Sequence, residues 1–288
     1  MDIPDQTGAA PPRLDAGRQL VRRHRATVRI THWLNVVCLS FLLVSGLQIF
    51  NAHPRLYWGK YGADADHALL DIGAVQDPSG RTQGFLQIGR FRMETTGVLG
   101  VSDEGGTATA RAFPSWLTIP SYHDLGAGRR WHFFFAWLLV INGLVYLAHG
   151  FWRKHFRQDL LPARGELAPR HLWREVRDHA RLHFPKGEHA RHYNALQKLT
   201  YLGVIFGLLP LMVLTGLTMS PGLNAVFPFM PDIFGGRPSA RTLHFITASL
   251  LVLFVVVHLA MVVASGFWNN MRSMISGRYA INSDGDKP

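Results

Sequence analysis

The chain has 288 residues, of which 48% are hydrophobic and 17% charged. It contains four apolar runs without Asp, Glu, Lys or Arg, each long enough to cross a bilayer, which excludes an ordinary soluble domain. The net charge of +11 is concentrated beside these runs, so it indicates membrane topology and argues against a nucleic-acid partner.

The first predicted element is a flexible tail, residues 1–24, whose prolines and charges do not resemble the apolar core of a cleavable signal peptide. Span one follows at 25–50. It leads into about 80 residues, 51–130, that are rich in Gly and Asp and contain short runs such as Gly84–Glu94. We interpret 51–130 as a small irregular subdomain with some strand content, because loops of this length usually have a function.

Beyond this insertion, the predicted elements are span two at 131–152, a loop at 153–197, span three at 198–220, a short loop at 221–241, span four at 242–268 and a tail at 269–288. In the 153–197 loop, apolar residues recur at helical spacing among basic ones: Leu172, Trp173, Val176, Ala180 and Phe184. This pattern predicts a basic amphipathic helix, either on the membrane surface or packed against a partner. The predicted fold is an all-α membrane protein, a four-transmembrane-helix bundle with a long periplasmic insertion between helices 1 and 2.

The distribution of basic residues predicts the orientation. Residues 1–31 contain six Arg and three Asp, and the loop 152–198 contains eleven Lys and Arg, whereas 51–130 has eight residues of each sign. Loops rich in Lys and Arg stay on the cytoplasmic side. We therefore expect a multi-pass protein in the lipid of the bacterial inner (plasma) membrane, with cytoplasmic N- and C-termini and a periplasmic insertion.

Span four contains two histidines, His244 and His258, fourteen residues apart. At 100° per residue they lie within about 40° of the same helix face, separated by roughly 21 Å along the axis. Ionisable side chains inside a bilayer are costly, so two on one face require an explanation.

Each of these histidines has a mate at its own predicted depth in another span. His132 opens span two and pairs with His244 as the outer pair, while His32 near the start of span one pairs with His258 as the inner pair. Two helices that offer one imidazole each hold a b-type haem from opposite sides, whereas zinc requires three or four ligands at one level. The sequence therefore predicts two b-type haems with haem iron as the only metal. The competing interpretation is that each histidine is hydrogen-bonded to a neighbouring helix.

Three further residues bear on this prediction. Gly46 follows His32 by fourteen residues and Gly143 follows His132 by eleven, so each leaves room for a porphyrin on the corresponding face. His149, at the inner end of span two, is an alternative inner ligand with a competing interfacial role. The single cysteine, Cys38, excludes covalent c-type attachment, which needs two cysteines, and a cysteine-bound cluster within the chain.

Several motifs resemble the bacterial membrane cytochrome b superfamily, which includes the formate dehydrogenase gamma subunit, the nickel–iron hydrogenase cytochrome b subunit and the thiosulfate reductase cytochrome b subunit. The similarity rests on Arg29, Thr31, His32 and Trp33, on His192–Lys198, and on the two histidines of span four. Tyr122–Trp137 is most similar to the thiosulfate-reductase branch. The resemblance covers the four helices and not 51–130, because the dehydrogenase gamma subunits have a much shorter first outer loop.

The resemblance implies two b-type haems and a quinone site, for ubiquinone or menaquinone, close to the inner haem. It assigns quinone binding to Asn194 and His258, and Gln197 and Lys198 lie one turn further on. A competing interpretation is that Asn194 caps span three.

The sequence is interpreted as a di-haem cytochrome b that transfers electrons between the quinone pool and a periplasmic redox partner docked on 51–130. The resemblance implies that the partner is a molybdopterin oxidoreductase. One alternative is a stand-alone superoxide:quinone oxidoreductase, in which Arg129 and Arg130 attract the anion. A second alternative is a non-haem membrane transporter or scaffold with the histidines as a proton relay.

Overall fold

The computed structural model describes residues 13–15, 18–63, 66–181 and 194–282. Its α-helices, in chain order, are α1 (Ala26–Asn51), α2 (Leu125–Trp152), α3 (Pro169–Ala180), α4 (Ala195–Gly203), α5 (Leu209–Thr218), α6 (Pro221–Val226), α7 (Met230–Ile233), α8 (Arg237–Ala264) and α9 (Phe267–Ser276). Its strands are β1 (Arg13–Asp15), β2 (Arg18–Arg22), β3 (Arg55–Leu56), β4 (Leu70–Gln76), β5 (Thr82–Ile88), β6 (Phe91–Glu94), β7 (Val101–Glu104), β8 (Thr107–Ala110) and β9 (Arg278–Asn282).

Four helical stretches are long and apolar enough to cross a membrane: α1, α2, the stretch Ala195–Thr218 and α8. They confirm the four predicted spans. Helices α2 and α8 begin earlier than predicted, because their first two turns include the polar residues Arg129, Arg130, Arg237 and Arg241. An apolar-run criterion ends at such residues although the helix continues through them.

The third span is not a uniform helix. A π-helical turn, Val204–Leu208, joins α4 to α5, and Pro210 follows directly in the first turn of α5. Proline has no N–H to donate to the preceding turn, and a π-turn is one way in which a helix accommodates such a break. The span therefore continues in two segments.

The insertion is built from strands, so the all-α description was too narrow. Strands β3 to β6 form one antiparallel sheet in sequential order, and β7 pairs with β8. Strands β4 and β5 register Ile72 against Leu86, and these side chains share a core with Phe50 of α1 and Phe245 of α8. A segment that alternates apolar and polar residues between tight turns forms strands, whereas the four long apolar runs form helices.

The ends of the chain also contain strands. In place of a flexible tail, residues 18–22 form β2, which pairs antiparallel with β9 from Arg18 opposite Asn282 to Arg22 opposite Arg278. Because both ends pair in one sheet, they lie on the same side of any membrane that the four helices cross. The tail predicted after span four contains α9 and β9.

The amphipathic pattern in the 153–197 loop corresponds to α3. Trp173 is 70% exposed on this helix, and Arg170, Arg174 and Arg177 are also exposed. Glu175 accepts hydrogen bonds from the backbone N–H groups of Ala195 and Leu196 at the start of α4, at 3.4 and 2.9 Å. Contact of α3 with the membrane surface stays a prediction, and Phe184 lies outside the described residues.

The chain divides into two compact units. The first, here called the terminal unit, comprises Met1–Trp33, Leu144–Ile205 and Leu253–Pro288, and the second, the insertion unit, comprises Leu34–Gly143 and Phe206–Val252. The inner pair His32 and His258 belongs to the terminal unit. The outer pair His132 and His244 belongs to the insertion unit.

Candidate functional site: two histidine pairs

The insertion unit brings His132 of α2 together with His244 of α8. The centres of the two half-buried imidazoles are 6.3 Å apart, and the ring planes are inclined at 60°. Two spans that are distant in sequence thus present one ring each to a common position, as predicted for the outer pair.

Each outer imidazole is contacted by a hydroxyl group from another span. The Nδ1 atom of His132 lies 3.1 Å from the Oγ of Ser45 on α1, and the Nδ1 atom of His244 lies 3.0 Å from the Oγ1 of Thr215 on α5. Both hydroxyls are fully buried. The outer pair therefore consists of rings from α2 and α8 and hydroxyl groups from α1 and α5.

A glycine follows each of these hydroxyl residues and lies against the same imidazole. A Cβ atom at Gly46 would be 3.3 Å from the Cε1 of His132, and a Cβ at Gly216 would be 3.3 Å from the Cε1 of His244. Most side chains do not tolerate so close a contact, so glycine lets each helix approach the ring. Gly46 was predicted to make room at the outer level, and its neighbour in the structure is the ring of His132.

The terminal unit brings His32 of α1 together with His258 of α8. Their ring centres are 6.4 Å apart and the planes are inclined at 55°. His32 contacts the ring of Trp33 edge-on, with 5.4 Å between the centres, and His258 stacks on Phe254 at 5.8 Å. The separation of the inner rings matches that of the outer pair, and both inner rings have an aromatic neighbour, as His132 of the outer pair has in Phe133 at 6.4 Å.

The two pairs also differ in the hydrogen bonds that their ring nitrogens make. The Nδ1 atom of His32 is buried, and no residue in the described part of the chain accepts or donates a hydrogen bond there. The nearby backbone is held in place by α9: Trp33 donates from Nε1 to the carbonyl oxygen of Met274 at 3.1 Å, and Arg29 donates to that of Ile275 at 2.7 Å. The inner pair thus has a fixed helix backbone and an unpaired ring nitrogen.

The other predicted haem residues lie apart from these contacts. His149 is in the last turn of α2, and the ring contacts of the described residues pair His32 with His258 without it. Among the described residues, a Cβ atom at Gly143 would meet no atom within 4 Å. The space beside Gly143 is therefore open, and packing of this glycine against a haem stays a prediction.

Three of the four residues predicted to bind quinone, Asn194, Gln197 and Lys198, lie at the start of α4, whereas His258 lies on α8. Asn194 is the N-cap of α4, and its side chain accepts a hydrogen bond from the backbone N–H of Gln197 at 2.8 Å. Lys198 donates to both carboxylate oxygens of Glu166, at 3.1 and 2.9 Å. His192 and Tyr193 of the motif lie outside the described residues. The capping interpretation of Asn194 therefore holds, and a role in quinone binding has to be compatible with it.

Two titratable groups of the terminal unit that lie outside the spans have shifted pKa values. The hydrogen bond from Lys198 is the largest effect on the Glu166 carboxyl and lowers its pKa. Just before α1, burial and then the charge of Arg23 lower the pKa of His24 to about 4. At neutral pH Glu166 is consequently ionised and His24 is neutral.

The sequence matches the family model described as prokaryotic cytochrome b561 over residues 23–277. The chain belongs to this cytochrome b561 family. A similar curated protein is the putative protein-methionine-sulfoxide reductase subunit YedZ1 of Azospira oryzae, 29% identical over 258 residues that cover 85% of this chain and 92% of the relative. No solved structure matches the chain significantly.

Membership confirms the resemblance found in the sequence and corrects its extent. The bounds of the family match, residues 23–277, include the segment 51–130. The match to the Azospira protein covers 85% of the chain, and this share is larger than the share that lies outside residues 51–130. The similarity therefore also extends into this segment. The insertion is therefore at least partly shared with a relative.

The histidine pairs of this cytochrome b561 fit the haem that its family binds. When a metal ion is bound between two imidazoles, each metal–nitrogen bond is about 2 Å long and each nitrogen lies roughly 1 Å from its ring centre. The two ring centres are then about 6 Å apart. Both observed separations meet this requirement. Within the described residues no group of three or more His, Cys, Asp or Glu is placed to hold a metal ion. The donor sets therefore suit a bis-imidazole haem and not a tetrahedral zinc ion.

Sequence reasoning missed the polar residues that support the outer pair. Ser45 and Thr215 are hydroxyl residues inside apolar spans, and each precedes a glycine. Asn142 of α2 donates to Asn35 of α1 at 2.7 Å, which links two spans through amides that the sequence analysis did not consider. An in-span Ser-Gly or Thr-Gly pair was the available signal.

The insertion is attached to α8 directly before His244. Thr242 donates to the carbonyl oxygen of Tyr57 at 2.6 Å, the N–H of Gly59 donates to Ser239 at 2.7 Å, and Arg241 donates to the carbonyl oxygen of His53. Gly236, with φ +125°, lies so close to the backbone of Gly59 that no side chain fits there. The insertion thus lies beside the outer pair.

Proposed function

We propose that this cytochrome b561 is an electron-transfer subunit that connects the quinone pool to a periplasmic oxidoreductase through two b-type haems. His32 and His258 would hold one haem and His132 and His244 the other. The observation that carries the proposal is the presence of two imidazole pairs, from different spans, at 6.4 and 6.3 Å. Bound haem supplies one-electron redox chemistry.

The protein's own residues would orient the cofactors and keep them apart from water. The pairs are half-buried among apolar spans, and α8 contributes one ligand to each. Family membership favours this function over a non-haem transporter or scaffold.

Haem content provides the first test. We expect purified full-length protein to contain two b-type haems per chain by pyridine haemochrome assay, with a reduced-minus-oxidised spectrum typical of six-coordinate b-haem. Protein expressed in a haem-replete host that lacks a Soret band would contradict the proposal. One haem per chain would contradict the assignment of two pairs.

The quinone site is proposed at the start of α4, with contributions from Asn194, Gln197, Lys198 and His258. Asn194→Asp keeps the oxygen that caps Gln197 and removes the amide donor, whereas Asn194→Ala removes both. If the amide binds quinone, both variants raise the KM for a soluble quinol while haem content stays unchanged. A normal KM in Asn194→Asp would reduce the role of Asn194 to that of a helix cap.

The partner is proposed to dock on residues 51–130, because this segment is attached to α8 next to His244. The name of the Azospira relative supports a methionine sulfoxide reductase as the partner, and the sequence resemblance supports a molybdopterin enzyme. Photocrosslinkers placed on exposed residues of β6, such as Phe91 and Met93, should capture such an enzyme in cells. Crosslinkers at Trp173 of α3 serve as the control and should not.

The proposed orientation places the N- and C-termini in the cytoplasm of a bacterium, and the insertion in the periplasm. Reporter fusions after residue 288 and within the 77–81 turn should report opposite sides. The same side for both would contradict the topology.

Superoxide oxidation is the second candidate, favoured by Arg129 and Arg130, which are exposed on α2 one turn before His132. The purified protein would then reduce quinone with superoxide in the absence of any partner, and Arg129→Gln with Arg130→Gln would slow this reaction at low ionic strength. Haem reduction only by quinol and reoxidation only with a partner would favour the subunit role.

A further inference from the structure

The hydroxyl groups beside the outer pair have a defined hydrogen-bond direction. The Oγ of Ser45 lies 2.6 Å from the carbonyl oxygen of Phe41, and the Oγ1 of Thr215 lies 2.7 Å from that of Leu211. A carbonyl oxygen only accepts, so each hydroxyl proton is directed to its own helix one turn back. What each oxygen offers to the neighbouring imidazole is a lone pair.

This direction determines which nitrogen of each imidazole has the proton. Since Ser45 presents a lone pair at 3.1 Å, the Nδ1 of His132 has to donate, and the same holds for the Nδ1 of His244 towards Thr215. A neutral imidazole has one N–H, so the Nε2 atom of each ring then has a free lone pair. Free Nε2 lone pairs are what a metal ion between the rings requires.

We infer that Ser45 and Thr215 are positioning residues that hold both outer histidines in the Nδ1–H tautomer and thereby set the redox potential of the outer haem. This inference rests on the proposed function. A hydrogen bond from the remote N–H increases the basicity of a ligating imidazole. More basic ligands favour the oxidised iron, so the two hydroxyls lower the midpoint potential of the outer haem and not that of the inner one.

The inner pair provides an internal comparison. The Nδ1 of His32 has no hydrogen-bond partner among the described residues, and its neighbours are aromatic rings. The two haems would therefore have different ligand basicity although both have two histidines. Second-shell hydrogen bonding is one of the means by which a protein tunes a haem.

The test is a potentiometric titration of purified full-length protein with both haems bound, followed at the haem absorption bands. We expect Ser45→Ala and Thr215→Val each to raise the midpoint potential of the same one of the two components, and the double variant to raise it further. Matched controls are Ser40→Ala on α1 and Thr218→Val on α5, whose hydroxyls also bond one turn back, to Val36 and Leu214. Neither control should shift a component.

Conservative variants separate hydrogen bonding from packing. Ser45→Thr and Thr215→Ser keep the hydroxyl and should keep the wild-type potential. If the variants without a hydroxyl fail to retain haem, these two decide: retention of haem at the wild-type potential supports the inference, and loss of haem in them contradicts it.

Other outcomes also distinguish the inference from the proposed function. Unchanged potentials in Ser45→Ala and Thr215→Val with haem retained, or shifts of different components by the two, would overturn the inference and leave the haem assignment intact. Absence of haem from the wild-type protein would overturn the proposed function itself.

Discussion

The two histidine pairs have almost the same ring separation and differ in what surrounds them. In the outer pair each ring contacts a buried hydroxyl and a glycine from a further span. In the inner pair the rings contact Trp33 and Phe254, and within the part of the chain that the structure describes the Nδ1 of His32 has no hydrogen-bond partner. The comparison shows that the same ring separation is reached with two different sets of contacts, which include buried hydroxyl groups and glycines only in the outer pair.

The largest expected effect comes from removing the histidines themselves. His244→Ala and His132→Ala should each abolish the outer haem and retain the inner one, and His258→Ala and His32→Ala should do the reverse, because one remaining imidazole holds haem poorly. Haemochrome assays should give about one haem per chain for each single variant. Two haems persisting in the His244→Ala, His258→Ala double variant would refute the pairing.

A bulkier residue at Gly46 should weaken only the outer haem. Gly46→Val places side-chain atoms against the Cε1 of His132, and such overpacking typically costs about 2 kcal/mol, equivalent to roughly 30-fold weaker haem retention. Gly222→Val is the control, since a Cβ there meets no atom within 4 Å. Equal loss of both haems would show that the pairs are not supported separately.

The buried guanidinium of Arg111 should stabilise the outer pair through the insertion. Arg111 donates to Gln48 of α1 and to Thr118, both at 2.6 Å. Arg111→Met leaves buried acceptors unsatisfied, at a cost of about 2 kcal/mol. The outer haem should then be lost on heating before the inner haem, as followed by absorption. Arg92→Met is the control, because Arg92 lies on the exposed edge strand β6, over the ring of Phe85. Simultaneous loss of both haems in Arg111→Met would contradict the prediction.

The smallest effect is expected from pH on the terminal unit. Because Lys198 lowers the pKa of Glu166, the folded state holds this carboxylate more strongly than the unfolded state. Its contribution to stability is full above the unfolded pKa and is lost as the pH falls through the lowered folded pKa. Thermal unfolding in detergent should therefore show a small acid destabilisation that Glu166→Gln abolishes. An identical acid response in this variant would assign the effect to other groups.

Much of the fold could be predicted from local patterns. The four spans follow from apolar runs whose length matches a bilayer, and the strands β4 to β6 follow from alternation between turns. The pairing of β2 with β9 could not be predicted, because it depends on contacts between distant ends of the chain. Pro210 inside the third apolar run, in contrast, was a readable signal for the interruption of that span.

The candidate site also has some features that the sequence predicts and others that only the structure shows. Histidines at matching depths were sufficient to predict which rings meet, since depth in a span is readable from the sequence. Asn194 illustrates the converse: the same residue suits a quinone ligand and a helix cap, and only the hydrogen bond from Gln197 shows that it caps α4.

By itself the sequence was sufficient to predict four helices that are long and apolar enough to cross a membrane, and which four histidine rings lie together in two pairs. Hydrophobicity, charge and residue spacing can be read along the chain. Only the tertiary structure decided that Ser45 and Thr215 face the outer imidazoles, while no described residue pairs with the Nδ1 of His32. These contacts depend on how each helix is rotated about its axis. That rotation is set by packing between residues that are far apart in the chain.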